Sequence, residues 1–507
     1  MSGDTSEKTL GIDLGTTNSG MAILENDEPQ MLQNNEGDDL TPSVVSFGDD
    51  GSVDVGKRAN SLAAERPGRT KREIKLEMGN EDYEFVVDGT EHSPVDISAE
   101  ILGKIKRDAE DYLRASVSDV VITVPAYFSS DQKRNTKRAG EEAGFDSVEL
   151  TNEPTAAALA YGEKQGQEID GTTLVFDFGG GTLDVSIIEI ETDRDVPEYE
   201  VKVAEGNNEL GGRDFDRAIM EHLAGELDVD GADPLDDPEI EENLRKAAED
   251  AKIDLSTNEE TEVVKSYLGI VDGEPIDIDT TLTRGTFEGL IADELDAVRD
   301  EITKAMDDAD VGAEDLDMVL LVGGSTYVPA VRDAVEEETG VEPERSRDPD
   351  QVVAEGAAVY GEKVNIEAGG QEGGDIEGKP GDIDVIEVIP ASLGTRLHDG
   401  SFDPIIEGNT NLGNAHGTEY YSTVEDNQTV VTIDVYQGED PVAENNTKLA
   451  DFRLTGIPPM PAGKPQIEVT FYVDEDGILQ VEADELTSDA EIEGEVTEDI
   501  TGTKDEA

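Results

Sequence analysis

The chain contains no cysteine, and aromatic residues make up only 5% of it. Without cysteine there is neither a disulfide framework nor a thiolate metal site. Basic residues are scarce as well: 38 Lys and Arg stand against 122 Asp and Glu, a formal net charge of −84. No basic stripe is available to replace phosphate counterions, which argues against nucleic acid as a partner. No apolar run approaches the length of a membrane span, so no membrane association is expected. The polar start "MSGDTSEKTL" passes almost at once into a strand and does not read as a secretory leader. The expected location is the cytoplasm.

What the chain has in excess is negative charge, spread along segments that also carry apolar periodicity. Two accounts compete, a disordered acidic region and a folded protein that works in concentrated salt. The dispersion of the acids disfavours disorder. At molar salt the Debye length falls to about 3 Å, which suppresses the self-repulsion of the compact state. The composition therefore implies the high-salt cytoplasm of an extreme halophile. With 507 residues and 36% hydrophobic content, the chain should divide into two to four domains.

Up to about residue 367, strand-like runs alternate with helical patterns, an α/β signature. "DVVITVPAYF" (119–128) reads as a buried strand and 131–143 as a helix. In 239–256, Ile240, Leu244, Ala247, Ala251 and Leu255 form one helical stripe. The segment 368–386 begins as an aperiodic, glycine-rich stretch and reads as a flexible linker. From 387 to 498 strand alternation takes over: Val431, Ile433 and Val435 share one face, as do Ile467, Val469, Phe471 and Val473. The turn "DEDG" (474–477) then marks a hairpin. Residues 499–507 read as a tail.

One pattern occurs twice. "LVFDFGGGTLDVSI" (174–187) falls on "LGIDLGTTNSGMAI" (10–23) after subtraction of 164. Each copy is an apolar run, an aspartate, a Gly/Thr-rich turn and a second apolar run. Such a turn exposes successive backbone N–H groups and hydroxyls, a concave nest for phosphate oxygens. Asp13 and Asp177 precede the turns, where carboxylates make sense with a hydrated divalent cation between them and phosphate. A single copy would be an ordinary glycine turn, and the duplication weakens that account. "AALAYG" (157–162) and "AAVYG" (357–361) form a second echo, two small-residue helices suited to close packing at a hinge. "VLLVGGSTYVP" (319–329) is a third strand-to-glycine turn, opening into a helix.

Together these segments resemble the DnaK-type chaperones, the seventy-kilodalton heat-shock class of the actin-like ATPase superfamily. "GIDLGTTNS", "VITVPAYF", "NEPTAAALAYG", "FDFGGGTLDVSI", "LGGRDFD", "VGGST", "STVEDNQ" and "PQIEVTF" carry the resemblance, which runs from about Leu10 to about Val496. It implies a two-lobed ATPase domain (8–367) of duplicated ribonuclease-H-like folds, each lobe contributing one phosphate hairpin, then an all-β sandwich (387–498) that binds extended peptide.

By this resemblance, Gly15, Thr16, Thr17 and Asn18 with Gly179, Gly180, Gly181 and Thr182 cradle the phosphates of ATP or ADP. Asp13, Glu153 and Asp177 hold the waters of Mg²⁺, and Asp184 with Asp13 binds K⁺. Lys75 positions the attacking water, with Lys71 as the alternative offered by "KREIK". Glu249, Lys252, Ser256, Gly323, Gly324, Ser325 and Asp350 match the adenosine contacts, and Tyr327 replaces the arginine usual after "VGGST". Pro125, Lys133 and Lys137 match a relay of nucleotide state. In the β-domain, Thr395, His398, Tyr421, Val424, Val431 and Ile433 match the peptide site, with Thr395 and His398 more polar than usual. The resemblance further implies a J-domain co-chaperone and a nucleotide exchange factor as partners.

Three departures bear on mechanism. The sequence ends after the last strand, so the family's helical lid is not expected here. Asp384 occupies a normally apolar linker position, so docking of that segment should bury a carboxylate at a cost. Glu149 stands where a basic residue usually meets the J-domain. The resulting expectation is an ATP-hydrolysing chaperone. Two rivals remain open, a slow nucleotide-dependent module for one specific partner and a small-molecule kinase of the same superfamily.

Overall fold

The computed structural model describes residues 8–487 and 493–496, apart from 81, 166–169, 193, 195, 228–232, 272, 346–347 and 365–382. The glycine-rich part of the linker and the tail after 496 lie outside the described residues. The two sequence copies are two hairpins, each in the middle of its own sheet. In the first sheet the strand Leu10–Asp13 pairs in parallel with Asp119–Val124 on one side and antiparallel with Asn18–Glu25 on the other. In the second, Gly171–Phe178 pairs in parallel with Met318–Val322 and antiparallel with Leu183–Glu191. The registers coincide: Asp13 faces Gly20, and Asp177 faces Asp184, each displaced by the 164 residues of the sequence repeat.

The helices Glu153–Gln165 and Val352–Lys363 pack on each other between these sheets. Their alanines and glycines permit an approach that larger side chains forbid. A Cβ on Gly356 would lie 1.7 Å from the carbonyl oxygen of Ala156, so the two backbones touch. Ala156, Ala157, Leu159, Val175, Val322 and Val353 form one buried cluster around this crossing. The small-residue echo thus marks the inter-lobe helix pair.

The helix Pro238–Thr257 shows how local sequence presents chemistry to the cleft. Proline opens it, and the Asp237 carboxylate accepts from the N–H groups of Glu239 (2.9 Å) and Ile240 (3.2 Å), capping donors that have no helical partner. Ile240, Leu244, Ala247, Ala251 and Leu255 are buried as the stripe predicts. The opposite face carries Glu249, Lys252 and Ser256. After the strand Met318–Val322 the expected helix is delayed: Gly324–Tyr327 form a 3₁₀ turn, and the α-helix starts at Pro329.

Beyond residue 387 the structure is a β-sandwich. One sheet orders Phe402–Ile406, Leu393–Arg396, Val430–Gln437, Thr447–Thr455 and Glu493–Val496, and the other His416–Tyr421, Ile467–Val473 and Leu479–Glu485. Leu393, Val435, Leu454, Ile467, Val469 and Phe471 fill the space between.

Residues 384–386, read from sequence as the end of a flexible linker, form a strand. It extends the second ATPase sheet by pairing in parallel with Glu198–Asn207. The docking cost expected of Asp384 is reduced because its side chain is only half-buried at the sheet edge, where water still reaches it. The Asp384 N–H donates to the carbonyl of Pro197 at 2.9 Å. Gly356→Ala should therefore destabilise the ATPase domain by about 3 kcal/mol, because a backbone and not a mobile side chain opposes the new methyl. Urea unfolding in molar KCl checks this, and an unchanged midpoint contradicts it.

Candidate functional site

Both hairpin turns open into one cavity of about 430 Å³ between the lobes. The turns nearly touch: a Cβ on Gly180 would lie 2.1 Å from the Thr17 hydroxyl oxygen. Gly15, Thr16, Thr17 and Asn18 line the cavity from the first hairpin, and Gly179, Gly180 and Thr182 from the second. Gly181 lies just behind this wall, against Thr16 and Leu76. The Ser325 hydroxyl donates to the carbonyl of Gly179 at 2.7 Å, tying the third glycine turn to the second hairpin.

At the cavity floor a single lysine faces a group of carboxylates. Lys75 sits on the short turn Ile74–Glu77, entered through Glu73 in left-handed conformation (φ 55°). It is 4% exposed, ion-paired to Glu153, and 5.7 Å from the Phe128 ring centroid. Lys71, the alternative, lies outside the cavity, 3.6 Å from Glu77 and over the Tyr83 ring. The burial of Lys75 alone would lower its amine, but Glu153 and Asp13 outweigh that and hold it above its ordinary value.

Asp13, Glu153 and Asp177 surround this amine within the cavity. Burial first, and then the Glu153 charge, pushes the Asp13 carboxyl up to about 7 and Asp184 to about 7. Asp177 is held well above the usual carboxylate range for the same two reasons. Asp13 accepts from the Thr123 hydroxyl (3.3 Å), and Asp184 from the Tyr127 N–H (3.1 Å). The second Asp184 oxygen is buried without a hydrogen-bond partner. One lysine does not balance four carboxylates, so the donor set suits a cation.

The far end of the cavity is built differently. Glu249, Lys252, Ser256, Gly323, Gly324, Ser325, Tyr327 and Asp350 all line it. Several are already engaged: Lys252 donates to Asp216 (2.8 Å) and to the Gly212 carbonyl (2.9 Å), and Glu249 accepts from Arg245 (3.1 Å). Burial raises the Asp350 carboxyl, and a hydrogen bond from Tyr327 opposes that rise. Sequence reading missed Ile253, which lines the same end and is 60% exposed. The signal was there, an isoleucine one residue beyond Lys252 on the polar face of an acidic helix.

The remaining predicted residues lie away from the cavity. Pro125 is buried at the end of the strand Asp119–Val124. Lys133 is buried against Gly477 of the β-domain, and Lys137 is ion-paired to Asp476 of the same turn. In the sandwich, the Thr395 hydroxyl donates to the Tyr421 hydroxyl (3.1 Å), which donates to Asp403 (2.9 Å). Ile433 is buried and Val431 half-buried. Val424 is 55% exposed, and His398 is exposed in the turn before Phe402–Ile406.

The raised carboxyls carry a stability consequence. Their folded-state pKa values exceed the unfolded ones, so their stabilisation is complete below about pH 4 and is lost as pH rises through about 7. With a chelator in molar KCl, Tm should fall by about 5 °C or more between pH 5 and 8. Asp184→Asn should flatten that fall, and an identical pH profile in the variant contradicts this assignment.

Comparison with known proteins accords with this geometry. The Hsp70 protein family model matches residues 9–507. The chain is 45% identical over 484 residues to a chaperone protein DnaK of Halobacterium salinarum, covering 95% of this chain and 74% of the relative. It is 44% identical over 490 residues to a chaperone protein DnaK of Thermotoga neapolitana, covering 96% and 79%. With that match along almost its whole length, the chain belongs to the Hsp70 family and is one of its DnaK-type ATPases.

Proposed function

We propose that this protein hydrolyses ATP in the inter-lobe cavity and thereby controls the binding of extended, unfolded polypeptide by its β-sandwich. The carrying observation is the physical connection between the two sites. Asp184 of the carboxylate group accepts from the Tyr127 backbone, two residues after Pro125. Three residues beyond Tyr127 begins the helix Ser130–Glu142, whose cap is closed reciprocally by Ser129 and Gln132. The Ser130 hydroxyl of that helix meets the Gly477 carbonyl (3.3 Å) and the Leu479 N–H (3.2 Å) of the sandwich. A change of charge at the phosphate site thus acts on an element that holds the second domain.

In this reading the hairpin amides and the hydroxyls of Thr16, Thr17 and Thr182 hold the phosphates, and Lys75 orients the attacking water. Asp13, Glu153 and Asp177 would hold Mg²⁺, and Asp13 with Asp184 would hold K⁺, and these cations would supply neutralising charge for the transferred phosphoryl group. Phosphoryl transfer needs little beyond such positioning and neutralisation. The base packs between Ile253 and Tyr327, an aliphatic and an aromatic face whose contact survives screening by salt. The net charge of −84 and the resemblance to a Halobacterium protein support work in a salt-rich cytoplasm.

A second reading, a module for one specific partner, is favoured by the polar chain Thr395–Tyr421–Asp403 at the expected peptide pocket. Glu149 faces the turn of the chain's own β-domain, so a J-domain co-chaperone must bring basic charge to that position, and exchange factors remain partners by family analogy.

ATP turnover in molar KCl separates the readings. An unfolded model peptide should raise turnover several-fold, and Lys75→Ala should abolish it to the blank. Turnover that depends on Lys75 and ignores peptide selects the partner-specific module. Tyr327→Ala should raise KM for ATP by about tenfold with kcat within about twofold, the loss of one stacking contact. An unchanged KM removes Tyr327 from the base site.

A further inference from the structure

The contact between the two domains carries an imbalance of charge. The turn between Ile467–Val473 and Leu479–Glu485 brings Asp474, Glu475 and Asp476 to the ATPase surface. Against it stand Lys133 and Lys137 of the helix Ser130–Glu142 and Glu149 of the strand Ser147–Asn152. Asp476 is anchored twice, by the ion pair to Lys137 and by accepting from the Leu150 N–H at 3.3 Å. That second anchor fixes a carboxylate beside the residue next to Leu150, which is another carboxylate, Glu149. Asp119 from the neighbouring strand and Glu475 from the turn add negative charge at the same place. Tyr360 faces it from the helix Val352–Lys363, and Glu387, which accepts from Asn152 at 2.6 Å, acts on Lys133. Lys137 is the cation that opposes this charge, and it is already paired with Asp476.

We propose that docking of the β-sandwich on the ATPase domain is proton-linked through Glu149: the docked contact is favoured when Glu149 is neutral and weakens as Glu149 ionises beside Asp476. The inference rests on the domain contact itself and not on what the sandwich binds. Burial first, and the Asp476 charge second, pushes the Glu149 carboxyl up to about 7 against the opposing pull of Lys137. Undocking removes the Asp476 and Glu475 charges and part of the burial, so the carboxyl of an undocked Glu149 lies lower than that of the docked one. Docking is therefore strongest at acid pH, declines as pH rises toward about 7, and levels off above. Part of the rise belongs to burial within the ATPase domain, so docking accounts for a smaller share. One unit from docking corresponds to about tenfold in the docked-to-undocked ratio. Burial also raises Asp474 and Glu387, which respond in the same direction, so substitution of Glu149 isolates its part.

The absence of cysteine makes the test direct, since two introduced thiols take dyes without background. Ser116 and Glu482 are exposed, one on each domain. Energy transfer in the full chain carrying Ser116→Cys and Glu482→Cys, in molar KCl, reads the docked-to-undocked ratio near pH 6 and near pH 8. The native sequence should lose about fivefold between these values. Glu149→Gln should change by less than about twofold, and Glu149→Arg should stay docked at both, its cation paired with Asp476. Two variants are used so that one that does not fold leaves the other decisive. A native ratio independent of pH, or a native-sized loss in either folded variant, overturns the proposal.

Discussion

Four carboxylates and one ammonium group buried at the junction of two lobes are the constraint on which the rest of the structure depends. Asp13 and Asp177 come from equivalent places in two repeated hairpins, Asp184 from the second strand of the second hairpin, and Glu153 from the first residue of the inter-lobe helix. Such a group cannot be assembled in one lobe alone, and left without counter-charge it resists closure. Lys75 supplies part of the balance, raised protonation of the aspartates supplies more, and a hydrated cation with its phosphate would supply the remainder. The glycine turns and the alanine-rich helix crossing exist to let backbones approach closely enough for this to happen. In this sense the small residues at Gly180 and Gly356 are as much part of the site as the acids.

The same junction explains why the β-domain sits where it does. The strand Asp384–Ile386 closes the edge of the second sheet, and the turn Asp474–Gly477 rests on the helix that follows Pro125. Edge pairing gives the connection regular backbone hydrogen bonds, whereas the turn contact is mostly polar and charged. Polar interfaces of this kind suit domains that part and rejoin, since neither face is left with a large apolar surface when separated. At a net charge of −84, concentrated salt would screen the acids of the two faces from each other.

Much of the ATPase fold was legible because its signals are local or repeated. The hairpin register, the buried stripe Ile240 to Leu255 and the small-residue helices all follow from spacing alone. Preference for Lys75 over Lys71 came from family motif spacing; in the structure Lys75 lines the cavity and Lys71 lies over the Tyr83 ring. What stayed hidden depends on distant partners. Nothing near Lys252 in sequence announces Asp216, and nothing near Leu150 announces Asp476, 326 residues away. Asp384 was expected to oppose docking, because sequence shows the charge and not the solvent left at a sheet edge. Ile253 was passed over because an exposed isoleucine acquires meaning only once the cavity beside it is seen.

In the function proposed above, the charge state of the inter-lobe site governs how the sandwich holds a polypeptide. The most direct measurement is the dissociation rate of a labelled unfolded peptide from the full chain in molar KCl, after addition of ATP and, separately, of ADP. The account predicts markedly faster release with ATP than with ADP, and loss of that difference when Glu153→Gln disturbs the carboxylate group. Equal release rates with both nucleotides, in a protein that still hydrolyses ATP, would contradict it.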